Sequence, residues 1–251
     1  MSRYIKLNSK DRDSGTSSDF TINIPQHLRS RRLRLAYASI PISWYNINST
    51  NNKIYFQENG ISTNIIATIP VGNYNNSTFP TAIESAMNAV SSSGGTYNTY
   101  SVIIDTITNK MEVSASNPWR FYNSVDKSTY PNNTHKVMGF DSDTLESFFL
   151  SNTKSSDDMV NLNEIDAVNI SIGDQVEIET LNNQGASLVL PVTGNQLDFI
   201  NYSPEQGFQQ YITFPKHKNN LKVSLRDGEN NILDMNNLNF YLVFERCRDE
   251  E

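Results

Sequence analysis

NLKVSLRDGENNILDMNNLNFYLVFE, residues Asn220 to Glu245, is the stretch on which the fold turns. Leu221, Val223 and Leu225 alternate with Lys222, Ser224 and Arg226, the period of a strand with one apolar and one wet face. Asp227-Gly228 and Asn230-Asn231 follow, residue types that tolerate tight-turn backbone, so the chain must bend there. Phe240, Leu242 and Phe244 then alternate with Tyr241, Val243 and Glu245 in a second strand. Two strong strands at the end of a chain tie that end into a sheet, and six core positions are expected: Leu221, Val223, Leu225, Phe240, Leu242 and Phe244.

Upstream of this pair the same period recurs in short pieces. Tyr4, Ile5 and Leu7 form a brief apolar start, and Phe20, Ile22 and Ile24 alternate beyond a polar run. Leu33, Leu35 and Tyr37 alternate with Arg32 and Arg34 in a strand that Pro41 interrupts before Trp44, Tyr45 and Ile47. Ile54 to Phe56 and Ile65 to Ile69 flank Glu58-Asn59-Gly60, the best hairpin signal in the chain. Tyr100 to Ile104 and Lys110 to Val113 flank DTITN, a second hairpin. Val168 to Ile172, Val176 to Glu179, Leu188 to Leu190, Leu197 to Tyr202 and Tyr211 to Phe214 complete ten to twelve strands. One helix is expected over about 78–90, with Thr78 or Thr81 as cap, Thr81 and Glu84 as a capping box, and Ile83, Ala86, Met87 and Val90 on its apolar face. The residues from Ala115 to Lys136 and from Asp141 to Asp158 lack a period and read as long loops. Many short strands with turn chemistry between them mark an all-β chain, a β-sandwich or barrel.

Composition narrows the function classes. A net charge of −7 argues against a dedicated nucleic-acid coat, so no specific nucleic-acid binding is expected. The single cysteine, Cys247, excludes an intrachain disulfide framework and a multi-thiolate metal site. No membrane segment and no secretory h-region is evident, which points to a protein kept in the cytosol or in a particle assembled there. His27, His135 and His217 stand apart from one another, without the spacing that lets imidazoles share zinc. No cofactor motif and no nucleophile elbow occurs, so no cofactor and no enzymatic activity are expected.

Four features carry candidate chemistry. Asp11-x-Asp13-x-Gly15 with Asp19 resembles part of a calcium loop, but position 12 is Ile22 where a bidentate Glu belongs, so a plain polar loop is the better reading. Arg29, Arg31, Arg32 and Arg34 can bind phosphate or a carboxylate patch on a partner, or can simply line the wet face of a strand, the commoner outcome. Trp44 and Tyr45, beside Pro41, can sit in a core or at a subunit interface, or can present a sugar platform together with Trp119. The acid pairs Asp141/Asp143, Asp157/Asp158 and Glu177/Glu179 suit a glycosidase only if two carboxyl groups face each other across a cleft.

The segments LNSKDRDSGTSSDFTINIP (Leu7 to Pro25), IPISWYNIN (Ile40 to Asn48), IPVGNYNNSTF (Ile69 to Phe79), VMGF (Val137 to Phe140) and the closing stretch quoted above resemble, in this order, the penton or minor capsid proteins of virophages and Polinton-like double-stranded DNA viruses. The tract Asp141 to Asp158 departs from the resemblance. What it implies is a jelly-roll β-sandwich over 1–251, with 53–145 either part of it or an inserted upper subdomain of strands and helix. The turn Asp227 to Asn231 and the loop Asp234 to Asn239 would then lie at opposite ends of the sandwich. It also implies homopentamers at the five-fold vertices of an icosahedral virion assembled in the host cytoplasm, with the major capsid (hexon) protein as neighbour. On this reading Arg29, Arg31, Arg32, Arg34, Trp44 and Tyr45 are the candidate subunit-interface residues, with acidic stretches such as Asp141 to Asp158 or Arg248 to Glu251 as counterparts. A carbohydrate-binding or adhesion sandwich is the alternative class, and a glycan hydrolase the third.

Overall fold

A computed structural model describes residues 4–28, 32–60, 64–91, 98–122, 129–140, 152–163, 165–173, 178–179, 185–204, 209–214 and 219–247. In chain order the strands are β1 (Tyr4–Asn8), β2 (Ser14–Gly15), β3 (Asp19–Asn23), β4 (Arg32–Pro41), β5 (Lys53–Glu58), β6 (Ile65–Thr68), β7 (Tyr100–Ile104), β8 (Lys110–Ala115), β9 (Trp119–Phe121), β10 (Thr153–Met159), β11 (Ala167–Ile172), β12 (Ile178–Glu179), β13 (Gly185–Ala186), β14 (Leu188–Pro191), β15 (Phe199–Tyr202), β16 (Tyr211–Thr213), β17 (Asn220–Arg226) and β18 (Tyr241–Arg246). The helix α1 runs Thr78–Ser91. The chain divides into two compact units, one of Met1–Trp44 with Ile165–Glu251, the other of Tyr45–Glu164.

The described residues of the first unit form an eight-stranded jelly roll, if β15 and β16, which share one edge of β4, are taken as one interrupted strand and the two-residue strands are set aside. One sheet has the order β1-β18-β4-β15 with β16 also on β4, and the other has the order β14-β11-β17-β3-β2. The pairings nest: β1 with β18, β3 with β17, β4 with β15 and β16, and β11 with β14, all antiparallel. A long hairpin rolled up on itself gives this nesting, the arrangement of a jelly roll. Leu7, Leu33, Leu35, Ala38, Ile40, Leu242 and Phe244 from the first sheet meet Phe20, Val168, Ile170, Ile172, Leu221, Val223 and Leu225 from the second in one buried core. All six core positions read from the closing strands are buried to 1% exposure or less. Truncating Phe240 or Phe244 to alanine should therefore cost about 3–5 kcal/mol.

Where the alternation changes phase, the strand bulges. On β4 the buried positions run Leu33 and Leu35, then Ala38 and Ile40, because Val243 faces Tyr37 while Phe244 already faces Leu35. Ala36 is the extra residue, and it turns Tyr37 to the outside where strict alternation puts it with Leu33 and Leu35. The connection from β17 to β18 also differs from expectation. After the turn at Asp227, Ile232 bridges Arg226 and Leu233 bonds back to Leu225, so the chain retraces only two residues before crossing to the other sheet. The turn and the Asp234 to Asn239 loop thus lie on one connection at the same end of the roll, not at opposite ends. At the open edge of β14, the Gln210 amide bonds both the N–H and the C=O of Val189 and so seals that edge.

The second unit has two three-stranded sheets, β6-β5-β9 and β10-β8-β7, with α1 packed on β6 and β7. The Asn59-Gly60 hairpin forms as read, with Phe56 opposite Ile65 and Gly60 at positive φ. So does the second hairpin, whose turn is held by the Asp105 carboxylate accepting from the N–H groups of Ile107 and Thr108. Helix α1 buries Ile83 and Met87 fully, with Ala86 and Val90 half-buried beside them. Its cap is not Thr78 or Thr81. The Asn75 side chain accepts from the N–H groups of Ser77 and Thr78 while Thr78 Oγ1 accepts from Asn75 N–H, a reciprocal cap one turn earlier. Thr81 instead donates to the Ser77 carbonyl inside the helix, and Glu84 accepts from Val102 N–H. Two stretches read as loops contain strands. Trp119–Phe121 is β9, and Thr153–Met159 is β10, an edge strand whose polar sequence TKSSDDM buries only Ser156. Asp141 to Ser151, the rest of that tract, lies outside the described residues.

Candidate functional site

Strand register assembles a distinct surface on the outward face of the β1-β18-β4-β15/β16 sheet. Rows run across it. Tyr4 faces Glu245, which faces Arg34, which faces Tyr211. Lys6 faces Val243, which faces Tyr37. Asn8 faces Tyr241, which faces Ser39, which faces Asn201. Phe199 and Arg32 stand exposed at the two ends of β4's far side, opposite Pro41 and Thr213. The rings of Tyr37 and Tyr241 lie 5.9 Å apart, with the Lys6 ammonium 4.3 Å from the centre of the Tyr241 ring. Arg32 stacks 4.4 Å over Tyr211. The Tyr37 hydroxyl donates to Asn201 at 2.9 Å, and partial burial, then the adjacent Tyr241, holds its pKa above the ordinary phenol value.

Of the six residues singled out from the sequence, two belong to this face. Arg32 is exposed on it, and Arg34 is half-buried in an ion pair with Glu245 that spans β4 and β18. Both therefore lie on the outward side of β4, and one of them is neutralised within the sheet. Arg29 and Arg31 lie outside the described residues. Trp44 is packed in the core of the jelly roll, 5% exposed, and offers no surface to a partner. Tyr45 is exposed in the second unit. The residues of this face that the sequence reading did not single out include Tyr4, Lys6, Tyr37, Phe199, Tyr211 and Tyr241. Tyr241 was already on the wet side of a strand, and an aromatic residue at a wet position was the available signal.

Among the described residues the other candidate chemistries do not come together. Trp119 is wholly buried, its indole N–H donating to the Asn152 carbonyl, so neither tryptophan forms the exposed sugar platform that a carbohydrate-binding sandwich calls for. Asp157 and Asp158 are exposed neighbours on β10, not a pair across a cleft. Asp141, Asp143 and Glu177 lie outside the described residues, as does His217. Gly15 at positive φ and β2 paired on β3 shape the Asp11 to Asp19 segment as a turn against the sheet edge. Among the described residues no group of three or more acidic, histidine or cysteine side chains is arranged to hold a metal ion. No described helix is long and apolar enough to cross a membrane.

Two buried polar groups stand out in the second unit. Glu58 Oε1 accepts from Ser91 Oγ at 2.5 Å and from the Tyr100 hydroxyl at 2.9 Å, with all three residues 1% exposed. Burial, and the carboxylate beside it, push the Tyr100 phenol well above its usual range even though Asn98 acts in the opposite direction. Enclosed this way, the cluster pins the end of α1 to β5 and β7 and gives a substrate no approach. His135 is wholly buried, and its Nε2 accepts from Tyr55 N–H at 3.1 Å. Burial pushes its pKa down to about 4, with the Tyr122 backbone a weaker opposing influence that forms no well-aligned hydrogen bond to Nδ1.

No family model matches the chain, and no curated protein does. Among solved structures the chain is similar to the selenomethionine-labelled mavirus penton protein, with 11% sequence identity, a TM-score of 0.47, and coverage of 98% of this chain and 100% of that one.

Proposed function

We propose that this chain is a structural capsid protein that assembles as a homopentamer and occupies the five-fold vertices of an icosahedral virion, beside a separate hexon-forming major capsid protein. The observation that carries the reading is the ordered set of segments resembling virophage and Polinton-like penton proteins, together with where they fall. Leu7 to Pro25 spans the end of β1 through β3, Ile40 to Asn48 leads out of β4, and the closing stretch is β17 and β18. The resembling segments therefore supply strands of both sheets of a jelly roll, a fold that serves viral capsids and lectins alike. Lectin-type function is disfavoured by the burial of both tryptophans. The role is structural and non-enzymatic on this reading, with the virion as the site of action. Electron microscopy and native mass spectrometry of the purified chain test it. Five-membered rings are expected, and a monomer across a wide range of concentration and salt would overturn it.

A further inference from the structure

A closed ring of identical subunits is built from heterologous contacts, so each subunit needs two different, complementary patches. The inference here rests on the assembly reading above and names those patches.

The first is the outward face of the β1-β18-β4-β15/β16 sheet. It carries Tyr4, Tyr37, Tyr211, Tyr241 and Phe199, with Tyr4 and Phe199 at least half exposed. Tyrosine and arginine are the residues that interface centres favour. The outward face of the opposite sheet differs, with Asp19, Thr21, Asn23, Asn169, Ser171, Lys222 and Arg226 in its rows, no aromatic side chain among these, and an Asp19–Lys222 ion pair across two of its strands. Arg34 is matched by Glu245, but Lys6 and Arg32 rest on tyrosine rings, which leaves the aromatic face cationic on a chain of net charge −7.

The second patch has the opposite character. Glu229 and Asp234 are exposed on the β17–β18 connection, together with Ile232 and Leu238, which are 39% and 48% exposed. Acidic groups interspersed with aliphatic side chains complement cations interspersed with aromatic rings. We propose that the outward face centred on Tyr37 and Tyr241 is the docking surface for a second copy of this chain, which engages it through its own β17–β18 connection, Lys6 and Arg32 meeting Glu229 and Asp234.

Charge reversal on the full-length chain tests both patches. Lys6→Glu with Arg32→Glu, and separately Glu229→Lys with Asp234→Lys, change exposed side chains, and unchanged unfolding temperatures establish that each variant is folded. Sedimentation velocity over a concentration series should show each double variant assembling at a concentration raised about tenfold or more. Combining all four substitutions in one chain should restore assembly. If the wild type assembles and the first variant assembles equally well, the face assignment falls while the capsid reading stands. If only the second variant is unaffected, or the fourfold variant is not rescued, the pairing of the two patches is wrong. A wild type that stays monomeric overturns this inference and the assembly reading together. Assembly of the wild type only on addition of a different capsid protein assigns the face to that partner and likewise overturns the inference.

Discussion

Acid should loosen the second unit through one histidine. His135 is wholly buried and accepts the Tyr55 N–H through Nε2, a bond that exists only while Nε2 carries no proton. Folded, its pKa lies near 4; unfolded, it returns to 6.5. The folded pKa is the lower one, so above pH 6.5 neither state is protonated and there is no cost. As pH falls from 6.5 towards 4 the unfolded chain takes up a proton that the folded chain refuses, and stability is lost across that window. The span corresponds to about 3 kcal/mol, an order-of-magnitude figure at a few tenths to 1.36 kcal/mol per pH unit as the titration proceeds. Trp119 supplies the readout. Its ring meets Phe121 at 4.5 Å, and Phe121 in turn meets the His135 ring at 5.0 Å. Urea unfolding followed by Trp119 emission in a Trp44→Phe background, from pH 7.5 to 4.5, should show a falling midpoint that His135→Gln removes, since glutamine offers Tyr55 an acceptor that does not titrate. Carboxylates that protonate near the lower limit act on both proteins and cancel in the difference. The same pH slope in both would refute the account.

Other substitutions probe other contacts. Asn75→Ala should cost about 1 kcal/mol of stability in the second unit while Thr81→Ala costs less than about half of that, which chemical denaturation distinguishes. Gly139 has φ of 85°, and an added Cβ would sit 2.3 Å from the Asp158 carbonyl oxygen, so Gly139→Ala should destabilise by about 1–3 kcal/mol. Gly228→Ala, with nothing within 4 Å, should be close to neutral in the same thermal-unfolding assay. Arg34→Ala takes the cation from a Glu245 side chain that is 10% exposed and should cost about 1–2 kcal/mol, lessened because Arg34 itself is 31% exposed. Arg34→Met with Glu245→Leu should recover most of that loss, as a double-mutant cycle would show.

What the sequence made legible follows from where each strand lies. β17, β18, β3 and β11 have one face in the core, so their apolar residues recur every second position and can be read directly. β10 is an edge strand with a single buried serine, and such a strand leaves no period to read. Trp119 and Phe121 belong to a three-residue strand, too short for alternation to be distinguished from chance. On β4 the alternation was present but its phase was not, since a bulge is a property of the pairing with β18 and not of RLRLAYASIP alone. The cap of α1 was missed because a capping box at Thr81 is as good a local pattern as the one Asn75 makes, and the geometry of the preceding turn decides between them. The candidate site was harder still. Lys6, Val243 and Tyr37 form one row, yet nothing local to any of them announces the other two.

That distance along the chain also governs how the jelly roll can form. Its outer pairs, β1 with β18 and β3 with β17, join the two ends of the polypeptide, and such long-range pairing is slow to find. Between β4 and β11, on one arm of the nested hairpin, lies the whole of the second unit. The entropy of closing a loop grows only with the logarithm of its length, about 0.6 kcal/mol for each doubling, so an insertion there costs the roll little. A second unit that folds first costs less again, because it replaces a long flexible connection with one of fixed span. Its hairpins and helix are local in sequence, and it has its own core around Phe56, Trp119 and Met138. Folding should therefore proceed from the middle of the chain outwards, with the closing strands added last. The Tyr37–Tyr241 face comes into being only at that final step, since its rows need β1, β18 and β4 together. A surface completed by the last pairing cannot engage a second copy until the subunit is whole, and assembly through it would select for correctly closed rolls.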